Sequence, residues 1–403
     1  MTTAQKMRTF TGPAWLSHGF RPFFLLAALW AVVAMVLWIA VLSGAVALPL
    51  QFDPISWHAH EFLFGYLGAV IGGFVLTAIP NWTGRLPVLG WPLLGLVVLW
   101  SLGRVAMLLS ALLPWQAVAL ADLSLAAALV VFMSREVLSG RNWRNLPVVV
   151  LIGIYGVANG IFHVEAARLG TASEGMGMRL GLAIALILIA LIGGRIIPSF
   201  SRNWLAAKGA HRLPVPFGGA DGGAMALTVA ALAAFVAVPD TKATAWLLAA
   251  AGLAHLWRQS RWCGWQVRAE PLLWALHVAY AMLSLGFLAE ATAEAGFIAS
   301  AAARHVWLAG AIGLMTLAVM SRASLGHTGR ALHAGPVTVT LYLSLVGSVV
   351  ARVAAGLASS PMLFLHISAA LWILAFGGFA LAYAPVLLRP RLAPRRPSRQ
   401  KAA

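Results

Sequence analysis

Apolar stretches of about 20 residues recur along the entire chain, and each is long enough to cross the roughly 30 Å hydrocarbon core of a bilayer. The runs are continuous instead of alternating every second residue, so they read as helices and not as barrel strands. Twelve spans are expected, near 22–43, 57–79, 90–110, 115–138, 146–168, 176–198, 222–239, 244–258, 271–290, 303–321, 335–357 and 362–388. The seventh and eighth are short and alanine-rich. Pro49, Pro54, Pro87, Pro114, Pro147, Pro198, Pro214, Pro271 and Pro361 fall at or between the expected ends, where a missing backbone donor costs least. The expected fold is all-α: a polytopic membrane bundle of about 12 transmembrane helices forming a single transmembrane domain over 1–403.

Charge sets the orientation. Only 10% of residues are charged, against about 25% in soluble domains, so an ordinary water-facing surface cannot be built. The net charge of +17 does not indicate nucleic acid, because its placement follows the positive-inside bias. The N-terminus, the loops after even-numbered spans and the tail hold 22 of the 28 Lys and Arg. Arg168, Arg179, Lys242 and Arg304 lie near the other side, and Arg104 and Arg352 fall inside apolar spans. Both termini are therefore expected in the cytoplasm, in an inner-membrane-like bilayer. Cys263 is the only cysteine, which excludes an internal disulfide. Met1 to Phe20 lack the apolar core and cleavage site of a signal peptide.

The second and tenth spans share a pattern. His60 precedes Gly65, Gly68 and Thr83-Gly84-Arg85; His305 precedes Gly310, Gly313 and Thr328-Gly329-Arg330, with 25 residues from histidine to arginine in both. Each is followed by a span carrying one arginine, Arg104 or Arg352. Three four-helix quasi-repeats, roughly 20–140, 141–268 and 269–388, are expected, followed by a basic tail at 389–403. Gene multiplication accounts for the pattern without function, but not for the polarity of what is shared.

Trp57-His58-Ala59-His60-Glu61 opens the second span at its outer end. Two histidines and a carboxylate at that depth are costly unless coordinated, paired or facing a cavity. Residues two apart on a helix point about 200° apart, so His58 and His60 are not expected to chelate one ion together. His163 and His305 also fall near the outer side, and Arg104 and Arg352 rise to about the same depth. Imidazoles and guanidinium groups at one depth suit haem, with histidine on iron and arginine on propionate. A water-facing histidine pair and a structural arginine pair with Glu61 are the plainer readings. His277 sits nearer the cytoplasmic end, where ligand and packing roles stand level. Ser324 to Arg330 reads as a polar cytoplasmic loop, a capping turn before an anion nest.

Gly19-Phe20-Arg21-Pro22-Phe23-Phe24, Trp57-His58-Ala59-His60-Glu61 and Thr77-Ala78-Ile79-Pro80-Asn81-Trp82-Thr83-Gly84 together resemble the NnrS family of bacterial membrane proteins. Gly194-Arg195-Ile196-Ile197-Pro198, Leu276-His277 and Met320-Ser321-Arg322-Ala323-Ser324-Leu325-Gly326-His327-Thr328-Gly329-Arg330 extend the match in order. The resemblance implies an inner-membrane protein holding haem and copper, associated with denitrification and resistance to nitric oxide and nitrosative stress. It leads to an expected nitric-oxide-binding haem–copper protein, possessing oxidoreductase activity of the nitric-oxide-reducing kind if it turns over. Haem of b type and copper are the expected cofactors, held among His58, His60, His163, His277 and His305. Glu61, Arg104 and Arg352 are the expected catalytic or cofactor-contacting groups. Nitric oxide and the lipid bilayer are the expected partners, and quinol or a small redox protein the expected electron donor, with no nucleic acid. The rival classes are a transporter or metal-handling carrier and a non-catalytic haem-based sensor.

Overall fold

In a computed structural model that describes residues 10–392, twelve long helices carry the chain, with no strand among the described residues. In order they are α1 (Phe20–Leu42), α2 (Pro54–Thr83), α3 (Trp91–Leu108), α4 (Trp115–Ser139), α5 (Leu146–Leu169) and α6 (Met176–Ala207). Then follow α7 (Gly219–Ala237), α8 (Lys242–Ser260), α9 (Pro271–Glu294), α10 (Ser300–His327), α11 (Pro336–Ala355) and α12 (Pro361–Leu388). Eleven are long and apolar enough to cross a membrane, so the chain is a multi-pass membrane protein. The exception is α8, expected as a span at 244–258: its 19 residues include Lys242, His255 and Arg258, too polar for an apolar crossing by composition.

The helices begin and end where local chemistry dictates. Asp53 caps α2 by accepting from the Ser56 N–H at 3.0 Å, and Pro54 fills the first turn, where its missing donor is harmless. Helix α2 ends at Gly84 (φ 69°), a left-handed position glycine occupies without penalty, and Gly329 (φ 74°) does the same just past α10. Two expectations shift. Pro198 lies inside α6, which runs on to Ala207 past the apolar stretch; one lost donor is tolerated where neighbouring helices supply the missing partners. Ser324 to His327, expected as loop, form the last turn of α10, leaving a short turn in which Arg330 N–H donates to Leu325 O at 3.0 Å. Lys6, Arg8, Arg395, Arg396, Arg399 and Lys401 fall outside the described residues.

Helices α2 and α10 are the most enclosed: 72% of the apolar stretch of each is buried, against 28% for α1. They meet directly through Tyr66 and Thr316, whose hydroxyls lie 2.6 Å apart. Both contain a π-helical segment, Glu61–Tyr66 in α2 and Val306–Gly313 in α10. Each segment starts one residue after a histidine of the matched pair, His60 or His305. Such widened turns re-aim side chains and gather at functional sites. Around these two helices, α1 packs on α2 and α12, α4 on α3 and α5, and α9 on α8 and α10.

Candidate metal centre

Helices α2, α3, α4 and α5 enclose a polar cluster in otherwise apolar surroundings. His60 and Glu61 are wholly buried; Arg104, Asp122, Asn159 and His163 are nearly so. Arg104 Nη1 donates to both Glu61 oxygens at 2.7 Å, and its Nη2 donates to Asp122 Oδ1. Asp122 Oδ2 lies 3.0 Å from His60 Nε2, 3.0 Å from His163 Nε2, and accepts from Asn159 Nδ2 at 2.7 Å. His60 Nδ1 lies 3.0 Å from Glu61 Oε1, and its Nε2 also lies 2.9 Å from Asn159 Oδ1. Gly65 is required here: a Cβ on it would stand 2.3 Å from Arg104 Nη1 and 2.8 Å from Glu61 Oε2. Tyr155 seals the rim by donating its hydroxyl to Leu63 O.

Proton bookkeeping shows what this cluster fits. A neutral imidazole has one N–H, yet both ring nitrogens of His60 face acceptors only. Two carboxylates against one guanidinium also leave one negative charge unbalanced, away from water, where that is expensive. A cation on one ring nitrogen would offset the surplus carboxylate charge and leave the other nitrogen's N–H for an acceptor; a second proton on His60 would do the same. One nitrogen from His60, one from His163 and an oxygen from Asp122 lie within 4.8 Å of one another, a ligand set for a metal ion. Glu61 and Arg104 would then orient the ligands from behind. Next to the cluster is a cavity of ≈ 30 Å³, measured as positions open to the centre of a water-sized sphere; its walls include Phe64, Trp100, Arg104, Asp122 and Tyr155. That is room for about two water-sized molecules.

A second group of different character lies between α2, α10 and α11. The rings of His58 and His305 are 6.5 Å apart and 12° from parallel, and Trp38 stacks on His58 at 4.4 Å. His305 Nδ1 donates to Ala301 O at 2.6 Å, which leaves its Nε2 as the lone-pair nitrogen. His58 Nδ1 is shielded and has no hydrogen-bond partner. Arg352 is the nearby cation, within electrostatic reach of both rings and in no ion pair among the described residues. Here the donors are imidazole and guanidinium, with no carboxylate.

The expected residues are thus brought together in two sets instead of one. His60, His163, Glu61 and Arg104 form the first, His58, His305 and Arg352 the second, and the opposed directions of His58 and His60 follow from their spacing. His277 joins neither; its Nε2 lies 2.9 Å from Ser201 Oγ. Asp122, absent from the sequence reading, is the hub of the first set. Its signal was present: a carboxylate inside the apolar run 115–138 is a functional candidate on cost alone. Also missed was a buried chain in which Asp221 pairs with Arg258, Arg258 donates to Tyr280 at 2.8 Å, and the Tyr280 hydroxyl meets His255 Nδ1 at 2.8 Å. His255 Nε2 then reaches Thr228 at 2.7 Å, so every member of the chain is satisfied.

The fold and site together define a multi-pass α-helical membrane protein with a buried histidine–carboxylate cluster able to hold a metal. The family model for NnrS protein matches residues 14–391, and the chain belongs to the NnrS family. That membership supports a nitric-oxide-related membrane protein that binds metal or haem, at the level of the family. No curated protein matches the chain.

Proposed function

We propose that this protein binds nitric oxide at a haem–copper site within a bacterial inner membrane and reduces or otherwise detoxifies it, with both termini cytoplasmic. The observation that carries the reading is the convergence of His60 and His163 on Asp122 beside a cavity of diatomic size. Copper suits the first set, whose nitrogen and oxygen donors match a divalent ion of that kind. Haem suits the second set. Arg104 is already engaged by two carboxylates, whereas Arg352 is free to pair with a propionate, and His58 and His305 offer unengaged ring nitrogens. When bound, reduced metal in these sets would supply affinity for the gas and the electrons for its reduction.

The chain's own groups do the rest. Asp122 and Asn159 fix the ring orientations of His60 and His163. Arg104 holds the Glu61 and Asp122 carboxylates in place at the cavity wall. The apolar walls admit a gas that partitions into lipid and exclude bulk water. Quinol or a small redox protein supplies the electrons.

The test is nitric oxide consumption by purified protein given a chemical reductant. The wild type should consume it, and Asp122→Asn, which removes the charged donor of the ligand set, should lose at least about tenfold in rate while keeping its haem absorbance. Binding without consumption in the wild type would favour the sensor reading. A colourless, weakly metal-binding protein would favour the carrier.

A further inference from the structure

The Gly19–Phe24 and Ser324–Arg330 motifs take no part in either metal set, yet they meet. Arg21, 2% exposed, donates from Nη1 to Leu387 O at 2.8 Å and to Arg389 O at 2.7 Å, the last carbonyls of α12 and its exit. Its Nε is shielded from solvent and bonds to nothing, and the same holds for Nη1 of Arg330. Arg330 lies within electrostatic reach of Arg21. Phe20 lies between the rings of His18 and His327, at 5.7 and 5.5 Å, with the Arg21 guanidinium 5.6 Å from its centroid. Arg391 is brought in by the strand of chain whose Leu392 N–H donates to Thr328 O at 3.0 Å. No carboxylate forms an ion pair with Arg21, Arg330 or Arg391 among the described residues.

We propose that Arg21, Arg330 and Arg391 form a binding site for a phosphate group at the end of the bundle where the start of α1 meets the end of α12. Three guanidinium groups from separate segments, two carrying shielded donors without acceptors, call for an anion that takes several N–H bonds at once, and phosphate does so with forked geometry. The uncompensated positive field is felt by His18, whose imidazole is pushed down to about 4 by burial and then by Arg21, His327 and Arg391. The phosphate comes either from an anionic lipid headgroup, given the site's place at a bundle end, or from free phosphate. The site is independent of the nitric oxide reading.

Two probes separate these sources: phosphatidylglycerol carried through purification, counted by native mass spectrometry, and inorganic phosphate, read by the shift in thermal midpoint in a phosphate-free, zwitterionic-free detergent. Arg330→Gln should weaken binding of the responding probe about tenfold. Arg212→Gln, an equal charge loss at an exposed loop, should leave it unchanged. Retained phosphatidylglycerol identifies the lipid source, and a midpoint rise with inorganic phosphate identifies the free anion. Should Arg330→Gln fail to fold, Arg391→Gln takes its place. Wild-type protein that binds neither probe, or a variant that binds as well as wild type, overturns the proposal.

Discussion

Helices α2 and α10 share a histidine, a π-helical segment one residue later, glycines at matched spacing and a Thr-Gly-Arg end with left-handed glycine. Their surroundings differ. His60 sits among Glu61, Asp122, Asn159 and Arg104, with both ring nitrogens against acceptors; His305 faces His58 and Arg352 and meets no carboxylate. One backbone pattern therefore supports two electrostatic designs. In the first, two carboxylates consume the arginine and leave surplus negative charge for a cation. In the second, the arginine is left free for an anion. The histidine and the widened turn recur in both helices, while residues from the adjoining helices set the charge around them.

The contrast is most exposed at the arginines. Arg104→Leu strands two buried carboxylates and should cost about 3–5 kcal/mol, seen as a collapse of folded yield or a large drop in thermal midpoint. The glycines sharpen it next. Gly65→Ala drives a methyl group into the Arg104–Glu61 pair and should cost about 1–3 kcal/mol as overpacking. At the matched Gly310 a Cβ meets the Met282 side chain, at 3.1 Å from Cβ, 3.2 Å from Cγ and 3.5 Å from Sδ, so Gly310→Ala asks one adaptable side chain to shift and should cost under about 1 kcal/mol. Smallest is Arg352→Gln, which breaks no ion pair and should change stability by under about 0.5 kcal/mol while lowering haem occupancy. Equal effects at Arg104 and Arg352 would erase the distinction.

Much of the architecture was legible because a bilayer imposes it: eleven helices lie where apolar length demanded, and the twelfth, α8, departs because Arg258 and His255 turn inward into a polar chain. Site membership was legible only in part. Depth and spacing singled out His58, His60, His163, His305 and both arginines, which the fold gathers into two groups, since charge inside an apolar run is conspicuous. Their division into two sets was not legible, because it depends on how α4 and α5 rotate Asp122 and Asn159 toward His60, and rotation about a uniformly apolar helix leaves little periodic signal. Asp122 was missed for a plainer reason: no histidine lies beside it in sequence to draw attention to it.

The most direct measurement is haem and copper content in His163→Ala and His305→Ala, purified side by side. Two separate centres predict that His163→Ala loses copper and keeps haem, and that His305→Ala loses haem and keeps copper. Loss of the same cofactor from both variants, or of neither, would contradict the account.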